Sequence, residues 1–172
     1  MVKPRLLILS DLFGGENPDW IQYYIDELKS KFDIQYYDVR ELANISLEYV
    51  TESDIHNQFL NGGIDKAVND LLELEKEETA VLGFSIGGTI AWKAALNGLK
   101  VSLLIAVSST RLRFETQIPC CEIKLYFGQK DLNAPNPEWF SDLNISNHFF
   151  ENQGHSLYLE KENAFVICNI FL

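Results

Sequence analysis

No run of this chain reaches the ~18 consecutive apolar residues that a membrane-spanning helix requires, so no transmembrane segment or membrane insertion is expected. The apolar stretch Leu6 to Leu9 is too short for a secretory h-region and has no small-residue cleavage site after it, so no signal peptide is expected. Cysteine is scarce. The three thiols, Cys120, Cys121 and Cys168, are odd in number, and the adjacent pair are poor disulfide partners. A reducing, cytoplasmic compartment is therefore expected, with no disulfide framework. The sequons at Asn44 and Asn144 then read as chance matches. Positive charge is also in short supply: 14 Lys and Arg against 25 Asp and Glu leave a net charge of −11. Nucleic acid and anionic membrane surfaces repel such a chain, so neither is expected as a partner. There is no internal repeat, low-complexity tract or Pro/Gly/Ser linker, and one domain over residues 1–172 is expected.

What is present is the composition of a packed protein, 47% hydrophobic and 12% aromatic, in short apolar runs alternating with amphipathic stretches. That alternation signals βαβ units around a parallel sheet. Strands are expected at Leu6 to Ser10, Ile34 to Val39, Thr79 to Phe84, Val101 to Val107, Ile123 to Phe127 and His148 to Glu151. Asn17 is expected to cap a first helix with Pro18 at its first position, followed by Trp20, Ile21, Tyr24, Ile25 and Leu28 at helical spacing. Ile64, Ala67, Val68, Leu71 and Leu72 share one helical face. A helix runs from Ser85 to Leu96 and stops at Asn97-Gly98, a short one opens at Asn136-Pro137, and a last one spans Leu159 to Phe171. The reading is a doubly wound, mostly parallel α/β sheet of about six strands with helices on both faces. Residues 41–63 give no clear pattern.

Gly83-Phe84-Ser85-Ile86-Gly87 fits the G-x-S-x-G pattern at a strand-to-helix junction. Such a turn is strained, and its glycines let strand and helix approach without Cβ clashes. The helix start also points N–H groups at developing negative charge. A serine is a weak nucleophile alone, so a base and an orienting acid are needed. Of the two histidines after Ser85, His155 lies in a loop after the last strand, where a doubly wound sheet holds its site. His148 opens an apolar strand, and it and His56 read as structural or surface residues. The acid is Asp131, in the Gly128-Gln129-Lys130-Asp131 exit of the fifth strand; Glu122 and Asp142 would point to the wrong end. Two backbone N–H groups are candidates for an oxyanion hole: Ile86, after the nucleophile, and Leu12, in the Ser10-Asp11-Leu12-Phe13-Gly14-Gly15 loop after the first strand. That loop reads equally as an ordinary Gly-Gly turn.

In the elbow, the acid exit and the Gly154-His155 loop, in that order, the chain resembles the α/β-hydrolase family over nearly its whole length. The Asp11-Leu12-Phe13-Gly14 loop is similar to that of dienelactone-hydrolase-like members, whose best-known examples use cysteine where this chain has Ser85. Three departures stand out. The two-stranded antiparallel start of many members is not expected here, no cap domain is inserted after Val107, and Ser10-Asp11 replaces a His-Gly pair at the oxyanion loop. The resemblance implies a minimal α/β-hydrolase fold and hydrolysis of a small ester or thioester through an acyl-enzyme on Ser85. Lactone hydrolysis of the dienelactone type and a non-catalytic binding scaffold remain alternatives. A small-molecule acyl substrate is expected, with no cofactor and no metal. The site should be fairly open. Leu47, Tyr49, Val50, Ile55, Phe59 and Leu60 could either cover the sheet edge or wall an acyl pocket.

Overall fold

The computed structural model describes residues 2–48 and 51–171. Its centre is a six-stranded sheet of order β2-β1-β3-β4-β5-β6, with β1 (Arg5–Leu9), β2 (Asp33–Tyr37), β3 (Thr79–Phe84), β4 (Val101–Val107), β5 (Glu122–Gly128) and β6 (Asn147–Phe150). Every pairing is parallel. All strand ends of one polarity therefore meet at one edge, where Leu9 lies beside Gly83, Phe84 beside Val107, and Gly128 beside Phe150.

Alternate side chains of each strand divide between two cores. Leu7, Leu9, Val81, Leu104, Ala106, Leu125 and Phe127 face one side, against α2 (Val39–Leu42), α4 (Ile64–Leu74), α5 (Ile86–Leu96) and α6 (Pro137–Asp142). Leu6, Ile8, Leu82, Phe84, Ile105, Val107 and Tyr126 face the other, against α1 (Asp19–Leu28) and α7 (Lys161–Cys168). Because both faces are apolar at the centre of the sheet, β1 from Leu6 and β3 from Ala80 are continuous hydrophobic runs rather than alternating ones. Each fully buried Leu or Ile contributes roughly 1.5–3 kcal/mol through the water it sheds. Among the described residues no helix is long and apolar enough to cross a membrane.

Several boundaries differ from the sequence reading. Pro18, not Asn17, sits at the cap of α1, because its φ of −66° and ψ of 138° are extended and the first helical residue is Asp19. Asn17 instead accepts a hydrogen bond from Gln22. β2 ends at Tyr37, since Asp38 turns away to cap α2 by accepting the Arg40 N–H at 2.9 Å. The last helix begins at Lys161 rather than Leu159: Leu157–Leu159 form a 3-10 turn, and Glu160, with ψ 130°, separates the two.

The segment that the pattern left open is ordered by α3 (Glu52–Gln58). Thr51 and Asp54 close a reciprocal capping box at its start. A widened turn, Phe59–Gly63, then leads into α4, and Gly62 takes the φ of 113° that this kink requires. Ile55 and Phe59 are buried in the core of the α4–α5 face, and Leu47 and Leu60 are exposed. Ile55 and Phe59 thus pack on a sheet face; Tyr49 and Val50 lie outside the described residues.

Candidate active site

The site is assembled where five strands, β1, β3, β4, β5 and β6, end. At the close of β3 the chain must reverse into α5 within one residue, and Ser85 takes that turn with φ 51° and ψ −119°. A non-glycine residue there stores strain on the order of 1–3 kcal/mol, which persists only because the surroundings over-determine it. The surroundings are glycines at contact distance. A Cβ on Gly83 would lie 2.6 Å from the Gly88 backbone, and one on Gly87 would lie 2.2 Å from the Ser10 carbonyl oxygen. The Ser85 N–H donates to the Val107 carbonyl at 2.8 Å, tying the elbow to β4.

The sequence-derived candidates come together. Ser85 Oγ lies 3.0 Å from His155 Nε2, and His155 Nδ1 lies 2.7 Å from Asp131 Oδ2. Burial alone would push the Asp131 carboxyl up. The His155 ring N–H, the Asn133 backbone N–H at 3.1 Å and nearby positive charge together hold it below the usual aspartate value. An ionised Asp131 can only accept, so Nδ1 carries the imidazole proton and Nε2 is left to accept from the Ser85 hydroxyl. The His155 loop is pressed against the β5 exit. A Cβ on Gly128 would lie 2.4 Å from both the Gln153 and Gly154 carbonyl oxygens, and Lys130 N–H donates to Gln153 at 2.8 Å. The rejected acids are elsewhere: Glu122 opens β5 beside Lys124, and Asp142 ends α6. His148 packs on Tyr126 and Phe150.

The loop after β1 is shaped by Asp11. Its Oδ1 accepts the N–H groups of Phe13 and Gly14, each at 3.1 Å. Its Oδ2 accepts the Tyr158 hydroxyl at 2.9 Å, across 147 residues of chain. Tyr158 is itself fixed, because its carbonyl accepts the Tyr24 hydroxyl at 3.0 Å and its ring packs on Trp20 and Phe84. Burial raises the Asp11 carboxyl above its ordinary value, and the Tyr158, Gly14 and Phe13 donors offset only part of that. The next N–H, that of Leu12, donates to no acceptor among the described residues. Ile86 is the first residue of α5 and has no intrahelical acceptor. Leu12, Ile86, Ser85 and His155 line one cavity of about 390 Å³.

Sequence reasoning missed seven other members of that wall. His56, set aside as structural or surface, lines the cavity with Glu52, both from α3. Of the apolar residues of that segment, the described Leu47, Ile55, Phe59 and Leu60 are not part of the wall. Thr110, Arg111 and Asn133 join it from the loops after β4 and β5, and Tyr158 from the turn after His155. Thr110 and Arg111 could have been suspected from the polar run Ser108 to Arg111 that follows the fourth apolar run. Tyr158, three residues beyond His155, could have been suspected only by supposing a partner for Asp11. Thr89, one turn along α5 from the elbow, also lines the cavity, and its buried hydroxyl has no hydrogen-bond partner among the described residues.

No family model and no curated protein matches the chain. Solved structures do. A protein of Xanthomonas campestris pv. campestris ascribed to the alpha/beta hydrolase superfamily superposes over 98% of each chain with a TM-score of 0.70 and 12% identity. A dienelactone hydrolase-like promiscuous phosphotriesterase from metagenomic libraries matches 99% of this chain and 86% of its own, with a TM-score of 0.73 and 14% identity. Alpha/beta hydrolase domain-containing protein 10 from mouse matches 98% of this chain and 88% of its own, with a TM-score of 0.64 and 15% identity. The fold is that of the α/β hydrolases. Within it, the six parallel strands and the short connection between β4 and β5 make this chain a minimal form, similar in architecture to dienelactone-hydrolase-like proteins.

Proposed function

We propose that this chain is a serine hydrolase that cleaves a small ester or thioester through an acyl-enzyme on Ser85. The observation that carries the reading is the continuous hydrogen-bonded chain Ser85–His155–Asp131 beside unengaged backbone N–H groups. In the first half-reaction Ser85 Oγ bonds to the acyl carbon and its proton passes to His155 Nε2. The carbon–oxygen or carbon–sulfur bond then breaks, and the leaving alcohol or thiol takes that proton. Water repeats the sequence in reverse, releasing the acid and restoring Ser85. Asp131 holds the ring in the required tautomer and stabilises the transient imidazolium. The N–H groups of Leu12 and Ile86 receive the oxyanion, where a single donor is worth ~2.7–4 kcal/mol in a serine hydrolase.

Asp11 supports the oxyanion site of this reading. Its carboxylate is committed to Phe13, Gly14 and Tyr158 and so serves the loop that presents Leu12, rather than the nucleophile. The test is a pre-steady-state burst with p-nitrophenyl acetate. One equivalent of nitrophenol per chain should appear before the slower steady rate, and Ser85→Ala should abolish both. A burst that survives in Ser85→Ala would overturn the proposal. Across p-nitrophenyl esters from acetate to palmitate, kcat/KM should flatten once the acyl chain outgrows the cavity, since each further methylene then loses its ~0.8 kcal/mol of burial.

A further inference from the structure

The chain has four arginines. Arg5 is bound by Glu75 and Asp33, Arg40 by Asp38, and Arg113 by the carbonyls of Thr110 and Asn133. Arg111 has no ion pair and no hydrogen bond among the described residues; its guanidinium lies 5.1 Å from the centre of the Phe114 ring. In a chain with 25 carboxylates to 14 cations, an arginine that none of them reaches is unusual. Glu115, the acid that acts on it through space, is held by Lys93 at 2.8 Å. Arg111 is half-buried, and it lines the cavity that contains Ser85.

We propose that Arg111 binds a carboxylate carried by the substrate, so that the ester or thioester cleaved at Ser85 is a monoanion. The inference rests on the hydrolase reading and names the substrate class of that same site. A guanidinium presents a planar fork of donors that matches a carboxylate, and partial burial strengthens the pairing relative to water. The segment bearing Arg111 is held in place before any ligand arrives. Trp92 Nε1 donates to the Gln117 carbonyl at 3.1 Å, Trp139 Nε1 donates to the Glu115 carbonyl at 2.9 Å, and Arg113 bridges to Thr110 at 2.8 Å.

The surroundings also favour a single negative charge. Burial and the neighbouring Arg113 depress the Arg111 guanidinium, as expected of a cation with no counter-charge. Burial and then Arg111 pull the His56 imidazole below its ordinary value, so His56 adds a hydrogen-bonding group at neutral pH rather than a second cation. Glu52 lines the same cavity, and the net charge of −11 repels polyanions. Both oppose a phosphate dianion more than a carboxylate.

The test compares mono-p-nitrophenyl adipate with its neutral methyl ester, using the full chain and its Arg111→Met and Arg111→Lys variants. The wild-type protein should prefer the anionic ester by about ten-fold or more in kcat/KM, chiefly through KM, the worth of one well-made charged hydrogen-bond pair. In Arg111→Met the ratio should collapse toward one, and Arg111→Lys should restore part of it. Free adipate should compete with the anionic ester better than inorganic phosphate does. A ratio near one in the wild type, a ratio unaltered in Arg111→Met, or stronger competition by phosphate would each overturn the inference while leaving the hydrolase reading intact. Failure of the wild type to cleave either ester, together with no phosphonate adduct on Ser85, would overturn the hydrolase reading and this inference with it.

Discussion

Where the first three strands begin, Arg5 reaches Glu75 through two hydrogen bonds of 2.7 Å and Asp33 at 3.3 Å, and Tyr37 donates to the same Glu75 at 2.5 Å. Arg5, Asp33 and Glu75 are paired with one another there. Where the strands finish, Ser85 and Ser108 take φ values of 51° and 52°, the Asp11 carboxyl is raised by burial, and Arg111 stands without a counter-charge. One sheet therefore carries a satisfied end and an unsatisfied one. The first contributes stability that chemistry does not need. The second holds strain and unpaired polarity that a folded protein tolerates only when the rest of the structure supplies the difference. Substitutions at the two ends should accordingly separate stability from activity.

The largest effect belongs to Ser85→Ala. It should lower kcat for a good ester by up to about 10⁶-fold, as loss of a nucleophile does when the remaining groups cannot act alone. The melting temperature should stay close to that of the parent, which a thermal scan checks. Asp131→Asn should follow, with a loss of about 10⁴-fold in kcat, because an amide no longer enforces the Nδ1–H tautomer of His155. Retention of more than a tenth of the parent kcat in Asp131→Asn would place the orienting acid elsewhere.

The other end should behave in reverse. Glu75→Gln should cost roughly 1.5–3 kcal/mol of stability, the usual worth of hydrogen bonds to a charged group, and should leave kcat/KM within about two-fold. Burial pushes the Glu75 carboxyl up, yet the Arg5 and Tyr37 hydrogen bonds and the Arg5 charge hold it below its ordinary value. A folded value below the unfolded one means that the contribution is full above the ordinary glutamate range. It is lost as pH falls through the lowered value, so denaturation curves of parent and Glu75→Gln should converge in acid. Persistence of the gap at low pH would assign the loss to packing instead.

The smallest effect is expected from Tyr158→Phe, which removes one hydroxyl from Asp11 and so loosens the loop that presents the Leu12 N–H. A fall of about ten-fold, in kcat rather than KM, corresponds to one weakened hydrogen bond in the transition state. A change confined to KM would remove Tyr158 from the support of the oxyanion site.

What could be read from the sequence follows from how local each signal is. The Gly83-Phe84-Ser85-Ile86-Gly87 elbow is legible because its requirement for absent Cβ atoms is met by residues within six positions of one another. Asp131 and His155 are legible as loop residues after apolar runs, and a parallel sheet sends all such loops to one edge. The cap at Pro18 and the break at Glu160 are not legible, since neighbouring residues compete for the same role and backbone angles decide between them. His56, Arg111 and Tyr158 were missed for a different reason. His56 and Tyr158 act across tens of residues through contacts that exist only after folding, and Arg111 draws its meaning from a partner that the chain does not contain.

The central claim, that the strained end of the sheet holds an activated serine, is tested most directly by a fluorophosphonate probe read out by intact mass and peptide mapping. One adduct per chain should form, on Ser85. His155→Ala should suppress the labelling by orders of magnitude, and Glu75→Gln should label as fast as the parent. An adduct on another residue, or labelling of Ser85 that proceeds unchanged without His155, would contradict the account.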